Sequence, residues 1–182
     1  MSEMHDVIMR LSVPFCTKRP AFDAVTKTEG RDTRLIHAYV MAMAIELKQN
    51  APEFEDCRVC AIRLDGGSAS ILEGSDLERL LKLVSQSYHL SEDCRISMRT
   101  CPADINGANM PFFNRAHIDR YDLEMYSMEP EDFHRFGTLN YLNQLPYITH
   151  GFLRADQKEN MGQILLYGKK DVSRYGFRRS VL

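Results

Sequence analysis

The five cysteines of this 182-residue chain, Cys16, Cys57, Cys60, Cys94 and Cys101, are the residues best suited to metal or redox chemistry. Cys57-x2-Cys60 has the spacing of a metal-ligand pair, but no second pair stands at a matching interval. Cys60 lies inside an apolar run, and small core residues are the expected reading of both. An odd count points to reduced thiols rather than a disulfide framework. The carboxylates Asp65, Asp119 and Asp122 follow or begin apolar runs and could meet at strand ends. There they would bind a metal or act as general bases. Loop capping and pairing with Arg63, Arg99 and Arg120 is the expected alternative. The six histidines are scattered singly, without H-x3-H or H-E-x2-H spacing, so no zinc site is signalled. Neither a phosphate-binding G-x4-G-K-[ST] loop nor a G-x-S-x-G nucleophile elbow occurs.

The elements that would position these residues alternate as βα units. Val7–Val13 reads as a first strand halted by Pro14. Leu35, Ile36, Tyr39, Val40, Met43 and Leu47 have helical spacing and predict a helix over 33–49, with Asp32 or Thr33 at its N-cap. Cys57–Leu64 is a second strand, broken by Asp65-Gly66-Gly67-Ser68. A second helix runs to about Tyr88, capped by Ser75 or Asp76. Further strands are expected at Cys94–Met98, Ile118–Met125 and 163–167, with a short helix around Phe133 after the acidic start Glu129-Pro130-Glu131-Asp132. The pattern weakens after Gly137. The basic tail Lys169–Arg179 reads as a solvated terminus. The expected organisation is therefore a βα core over 1–137 and an abbreviated segment, 138–182, packed on it.

Composition narrows the function classes. A hydrophobic fraction of 44% and a charged fraction of 26% suit a globular domain with a real core. A net charge of −2 offers no basic field for a polyanion, so nucleic acid is not an expected partner. No apolar run approaches the roughly 20 residues that cross a bilayer, and the polar N-terminus lacks a signal peptide's order. A cytoplasmic protein without a membrane partner is the expectation.

Four collinear stretches resemble one family. Arg10-Leu11-Ser12-Val13-Pro14-Phe15-Cys16 is similar to Y-I-H-I-P-F-C, and Tyr39-x2-Ala42-x3-Glu46 to Y-x2-A-L-x2-E-I. Ile62-x2-Asp65-Gly66-Gly67-Ser68-Ala69-Ser70-Ile71-Leu72 resembles I-x-F-G-G-G-T-P-S-L-L. His117-Ile118-Asp119-Arg120-Tyr121-Asp122-Leu123-Glu124-Met125-Tyr126-Ser127-Met128 resembles G-V-N-R-L-S-L-G-V-Q-S-F. These motifs belong to the radical S-adenosylmethionine proteins of the oxygen-independent coproporphyrinogen III oxidase type. The resemblance implies an α/β fold, a partial (β/α) barrel of about four βα units where the family core has six. It also implies an exposed sheet edge, covered by the C-terminal segment or by a second subunit. A homodimer or an unidentified protein partner is expected.

The chemistry of that family departs here. A 4Fe–4S cluster with one iron open to the cofactor needs three cysteine thiolates, which the family supplies as C-x3-C-x2-C. The frame begins at Cys16 but continues with Pro20 and Asp23. Phe22 keeps the aromatic between the last two ligand positions. Asp65 replaces the first glycine of the cofactor-binding triplet, ahead of the retained Gly66 and Gly67. Arg99 stands where E-x-N-P has its acid, and Arg10, Ser12 and Tyr126 replace the family's tyrosine, histidine and glutamine. The expected protein is a degenerate, non-catalytic binding or regulatory member, with no catalytic residues, no metal and no iron–sulfur cofactor. Two alternatives stand beside it. One is a tetrapyrrole-binding accessory, with late aromatics such as Phe112, Phe113 and Tyr121 lining a haem or porphyrin site and His117 or His134 as an axial ligand. The other is an enzyme with different chemistry at the strand ends, using Asp65, Arg99 and Asp122.

Overall fold

The computed structural model describes residues 4–18, 28–30, 32–105, 110–127, 130–136 and 161–165. In chain order the strands are β1 (His5–Val13), β2 (Phe15–Cys16), β3 (Thr28–Glu29), β4 (Cys57–Gly66), β5 (His89–Thr100), β6 (Arg120–Tyr126) and β7 (Met161–Leu165). The helices are α1 (Thr33–Asn50), α2 (Gly74–Ser87), α3 (Met110–Arg115) and α4 (Pro130–Phe136). Five strands form one sheet in the order β1-β4-β5-β6-β7, with every neighbouring pair parallel. Parallel neighbours require a crossover, and each of the four crossovers contains a helix. β7 lies in the segment after Gly137 and extends this same sheet beyond β6. β2 and β3 make a separate two-stranded pair.

Alternation along the strands explains the layering. Leu11 and Val13 of β1, Ile62 and Leu64 of β4, Met98 of β5, and Tyr121, Leu123 and Met125 of β6 are buried. They share one core with Ile36, Val40 and Leu47 of α1, Leu77, Leu80 and Val84 of α2, and Phe133 of α4. The apolar positions of each helix recur three or four residues apart, so one stripe faces the sheet. Asp32 caps α1, its carboxylate accepting the N–H groups of Arg34 and Leu35 at 3.1 Å. The opposite face of the sheet carries Arg10, Arg63, Asp65, Arg99, Asp122 and Glu124 by the same alternation. We call it the inner face.

Three local differences from the sequence expectation have clear causes. β5 begins five residues earlier, at His89, because polar His-Leu-Ser-Glu-Asp pairs at a break in the register. Val59 faces Leu90 while Ala61 faces Arg95, so Cys60 is a bulge on β4 opposite a longer bulge on β5. That bulge also switches the buried parity of β4 from Val59 to Ile62 and Leu64. α2 has no side-chain cap. It starts after Glu73, and Asp76 is used instead to accept from His37 Nδ1 of α1 at 2.9 Å. Asp119 does not reach the strand C-terminal ends. It precedes β6, where its carboxylate accepts the Ile96 N–H at 2.7 Å and its own N–H donates to the Ile96 carbonyl, opening the β5–β6 ladder.

Candidate functional site

Register sets the inner face in rows. Arg10, Arg63, Ser97 and Arg120 lie across four adjacent strands, with Arg10 facing Arg63 and Ser97 facing both Arg63 and Arg120. One step along, Ser12 faces Asp65 and Arg99 faces Asp122. Asp65 is ion-paired with Arg10, and Asp122 accepts from Arg120 Nε at 2.8 Å. The second pair lies over Gly162 of β7, where a β-carbon would overlap both side chains. Arg63 and Arg95 are exposed. Between these side chains remains a polar cavity of about 80 Å³, lined by Arg63, Asp65, Ser97, Arg99, Asp122 and Ile164.

Toward the C-terminal ends of the strands the face closes. Glu124 is 1% exposed. Its carboxylate receives the Ser68 hydroxyl at 2.5 Å and lies 2.5 Å from Arg99 Nε. Burial is the largest influence on Arg99 and opposes its charge, but Glu124 and Tyr126 together outweigh it and hold the guanidinium above its ordinary range. Tyr126, buried beside both groups and at φ +58°, has its phenol pushed well above the usual tyrosine range, first by burial and then by Glu124. A second buried network lies alongside. Asp104 accepts from Ser70 Oγ at 2.8 Å and from Thr17, and Ser70 Oγ accepts the Cys101 N–H at 2.9 Å. Both networks satisfy buried carboxylates with directed donors, as a low-dielectric setting demands.

The glycines serve the chain's own backbone. Ser68 N–H donates to the Phe15 carbonyl at 2.8 Å, drawing the β1–β2 connection across the loop after β4. A β-carbon on Gly67 would lie 2.8 Å from Phe15 N and closer still to the carbonyl oxygens of Val13 and Phe15. Gly66 has φ +92°, and its β-carbon would overlap Ser12 Oγ. Cys16 has no exposed surface, and its thiol lies 4.0 Å from the Thr28 carbonyl. Pro20, Phe22 and Asp23 lie outside the described residues. As donor chemistry, one thiol followed at the motif positions by a proline and a carboxylate does not fit a 4Fe–4S cluster.

The structure thus brings Asp65, Gly66, Gly67, Arg99 and Tyr126 together at one end of the sheet and engages the charged ones internally. Asp65, Arg99 and Asp122, the trio of an alternative active site, are each ion-paired. Arg10 and Arg120 are the partners of Asp65 and Asp122, and Arg63 forms no ion pair among the described residues. Cys57 and Cys60 do not form a ligand pair: Cys60 donates to the Val7 carbonyl at 3.3 Å from its bulge. Burial raises the Cys94 thiol, which keeps it protonated at neutral pH. Among the described residues no group of three or more His, Cys, Asp or Glu is placed to hold a metal. His117, in the turn ahead of β6, and His134, on α4, are both exposed. The residues that the sequence reading passed over are Glu124, Ser68, Ser70 and Asp104. Glu124 did leave a signal, a carboxylate between Leu123 and Met125 in an otherwise apolar run.

The fold is α/β with a parallel sheet that matches part of a radical S-adenosylmethionine enzyme barrel. It aligns with the Escherichia coli coproporphyrinogen III oxidase, described as such an enzyme, at a TM-score of 0.83 and 19% identity, covering 99% of this chain and 41% of that one. An archaeal Elp3 from Methanocaldococcus infernus aligns at a TM-score of 0.51 and 12% identity, covering 42% of its chain. In sequence the chain has partial homology to oxygen-independent coproporphyrinogen III oxidases. It is 29% identical over 93 residues to that of Salmonella typhimurium, covering 51% of this chain and 20% of the relative. It is 27% identical over 90 residues to that of Mannheimia haemolytica, covering 62% of the relative. The match therefore spans about a fifth of the Salmonella protein's length. No protein-family profile matches the chain. Among the described residues no helix is long and apolar enough to cross a membrane.

Proposed function

We propose that this chain is a non-catalytic binding or regulatory protein built on a coproporphyrinogen-oxidase-like scaffold, without an iron–sulfur cluster. One observation carries the reading: its departures from the motifs it resembles are bonded to one another. Arg10, at the motif's tyrosine, pairs with Asp65, at its first glycine. Arg99, at the motif's acid, pairs with Glu124, which stands at the second glycine of G-V-N-R-L-S-L-G-V-Q-S-F. Each pair puts side chains where the motif keeps backbone or a contact for the cofactor. Such matched changes stabilise a closed strand end and leave less room for a ligand there. Anaerobic reconstitution with iron and sulfide tests this, read by visible absorbance and by calorimetric titration with S-adenosylmethionine. A colourless protein that takes up neither is expected. A brown protein with about four irons per chain would refute the reading.

A second reading, a tetrapyrrole-binding accessory, is favoured by the exposed inner-face arginines Arg10 and Arg63. Their guanidinium groups suit the carboxylates of the substrate named for the relatives. Titration with coproporphyrin separates the two readings. A Soret shift that Arg63→Ala weakens supports the tetrapyrrole, whereas an unchanged spectrum leaves the first reading standing.

A further inference from the structure

β1 is an edge strand, and among the described residues its outer side is open in a way that matches itself. The N–H of His5 donates to Asp56 at 2.9 Å and the carbonyl of Val7 accepts from Cys60, so odd residues of β1 face β4. Backbone groups alternate sides along a strand, and the even residues Asp6, Ile8 and Arg10 therefore turn theirs to the free edge. Ser12, the next even residue, already accepts the Tyr39 hydroxyl at 2.8 Å on that side. The open stretch is thus Asp6–Arg10. It has no proline, lysine or bulge of its own, the devices that usually blunt an edge. Ile8 at its centre is 63% exposed. Beside it runs an apolar groove of about 460 Å³ between β1 and α1, lined by Val7, Met9, Tyr39, Met43, Leu47 and Phe54, among others.

We propose that a second copy of this chain occupies the groove, with the two β1 strands paired antiparallel about a two-fold axis at Ile8. Charge selects this register. With Ile8 opposite Ile8, Asp6 of each copy faces Arg10 of the other, which opposite charges on facing residues favour. The side chains of Asp6 and Arg10 are 55% and 65% exposed and so are accessible to a partner. Shifting the strands by two residues in either direction sets Ile8 opposite Arg10 or Asp6. A larger slip brings Arg10 against Arg10 or Asp6 against Asp6. In the favoured register each charge also has its own-chain partner, Arg58 for Asp6 and Asp65 for Arg10. The result is an alternating row, Arg58 and Asp6 of one copy with Arg10 and Asp65 of the other, crossing the interface on each side of the two-fold axis. Asp6 of the second copy also relieves the like-charge opposition of Arg10 and Arg63.

The backbone and the groove agree with that register. Facing pairs 6–10, 8–8 and 10–6 all present free N–H and carbonyl groups, giving about six inter-strand hydrogen bonds. Residues opposite each other project to the same face. Val7 and Met9 of the second copy therefore lie against Met9 and Val7 on the helix side, where the groove is. An isologous interface of this kind closes on itself, so the assembly stops at two chains.

Sedimentation velocity over a range of concentrations tests the state, and a crosslink tests the register. A species of twice the chain mass is expected, reduced to a monomer by Ile8→Lys, which places two cations at the axis. Because Ile8 is exposed, that variant should keep the wild-type circular dichroism spectrum. Asp6→Arg should weaken the dimer as well, since it sets two cations opposite each other at both 6–10 pairs. In the proposed register the α-carbons at position 8 are about 5.5 Å apart, within disulfide reach. Ile8→Cys should then crosslink on mild oxidation while the native chain, with its five cysteines, does not. A monomer at every concentration would overturn the proposal. So would a dimer that survives Ile8→Lys and fails to crosslink at position 8, since its interface would lie elsewhere.

Discussion

The strand C-terminal ends and the outer edge of β1 are opposites in how they meet their physical demands. At the strand ends every charge named is answered within the chain: Arg99 by Glu124, Asp65 by Arg10, Asp104 by Ser70 and Thr17. At β1 no described residue covers the apolar groove or the open backbone of Asp6–Arg10. Buried charge is costly unless paired, so polar groups enclosed at the strand ends are stable only when they answer one another. An exposed apolar groove costs far less and can persist until a partner covers it. The contrast sets internally paired charge at the strand ends against an unpartnered apolar groove at the edge of β1, where the proposed second copy would bind.

The sharpest way to break that contrast is to reopen the closed end. Glu124→Ala leaves the half-buried Arg99 without its counter-charge, and a loss of about 3–5 kcal/mol in urea unfolding is expected. Replacing both partners, as Arg99→Met with Glu124→Leu, should cost much less than the single change. A double-mutant cycle that shows no coupling would mean the pair is not what closes the site. Gly67→Ala comes next. Its added methyl meets fixed backbone at Val13 and Phe15 rather than a movable side chain, so about 1–3 kcal/mol should be lost. Had the loop been shaped to admit a ligand, the same methyl would fall in open space and the unfolding midpoint would stay put.

The parallel sheet and its helices were legible because their signals are periodic: Ile36, Val40 and Leu47 mark α1 on sequence alone, as Leu77, Leu80 and Val84 mark α2. The pairing at the strand ends was not. Arg99 and Glu124 are 25 positions apart, and nothing local indicates that β5 and β6 set them side by side. Arg10 and Asp65 are separated by a whole βα unit. Each of Arg10, Asp65 and Arg99 was visible singly as a departure from a motif, yet only the register of the sheet turns those departures into pairs. Bulges hid the rest. Cys60 read as a small core residue despite its ligand-like spacing to Cys57, and only the β4 break shows that it is a half-buried irregularity in the ladder. The polar start of β5 failed the alternation test for the same reason.

Alkaline pH gives a smaller but cleaner test of closure, because it acts on Tyr126 without altering the sequence. The folded state raises this phenol above its unfolded value near 10, by burial and by the neighbouring Glu124. The raised value means that the neutral phenol is favoured by folding. The associated stability is therefore fully present below about pH 10 and declines as pH rises further, when the unfolded chain releases its proton and the folded one does not. Unfolding free energy should fall by about 1.4 kcal/mol per pH unit for each tyrosine held in this way. Tyr121, also raised by burial, contributes a similar slope. Tyr126→Phe should remove its share and flatten the decline between pH 10 and 11 by about 1 kcal/mol, while leaving that of Tyr121. Should Tyr126→Phe follow the native curve throughout, water already reaches the phenol. The strand ends would then be as open as the edge of β1.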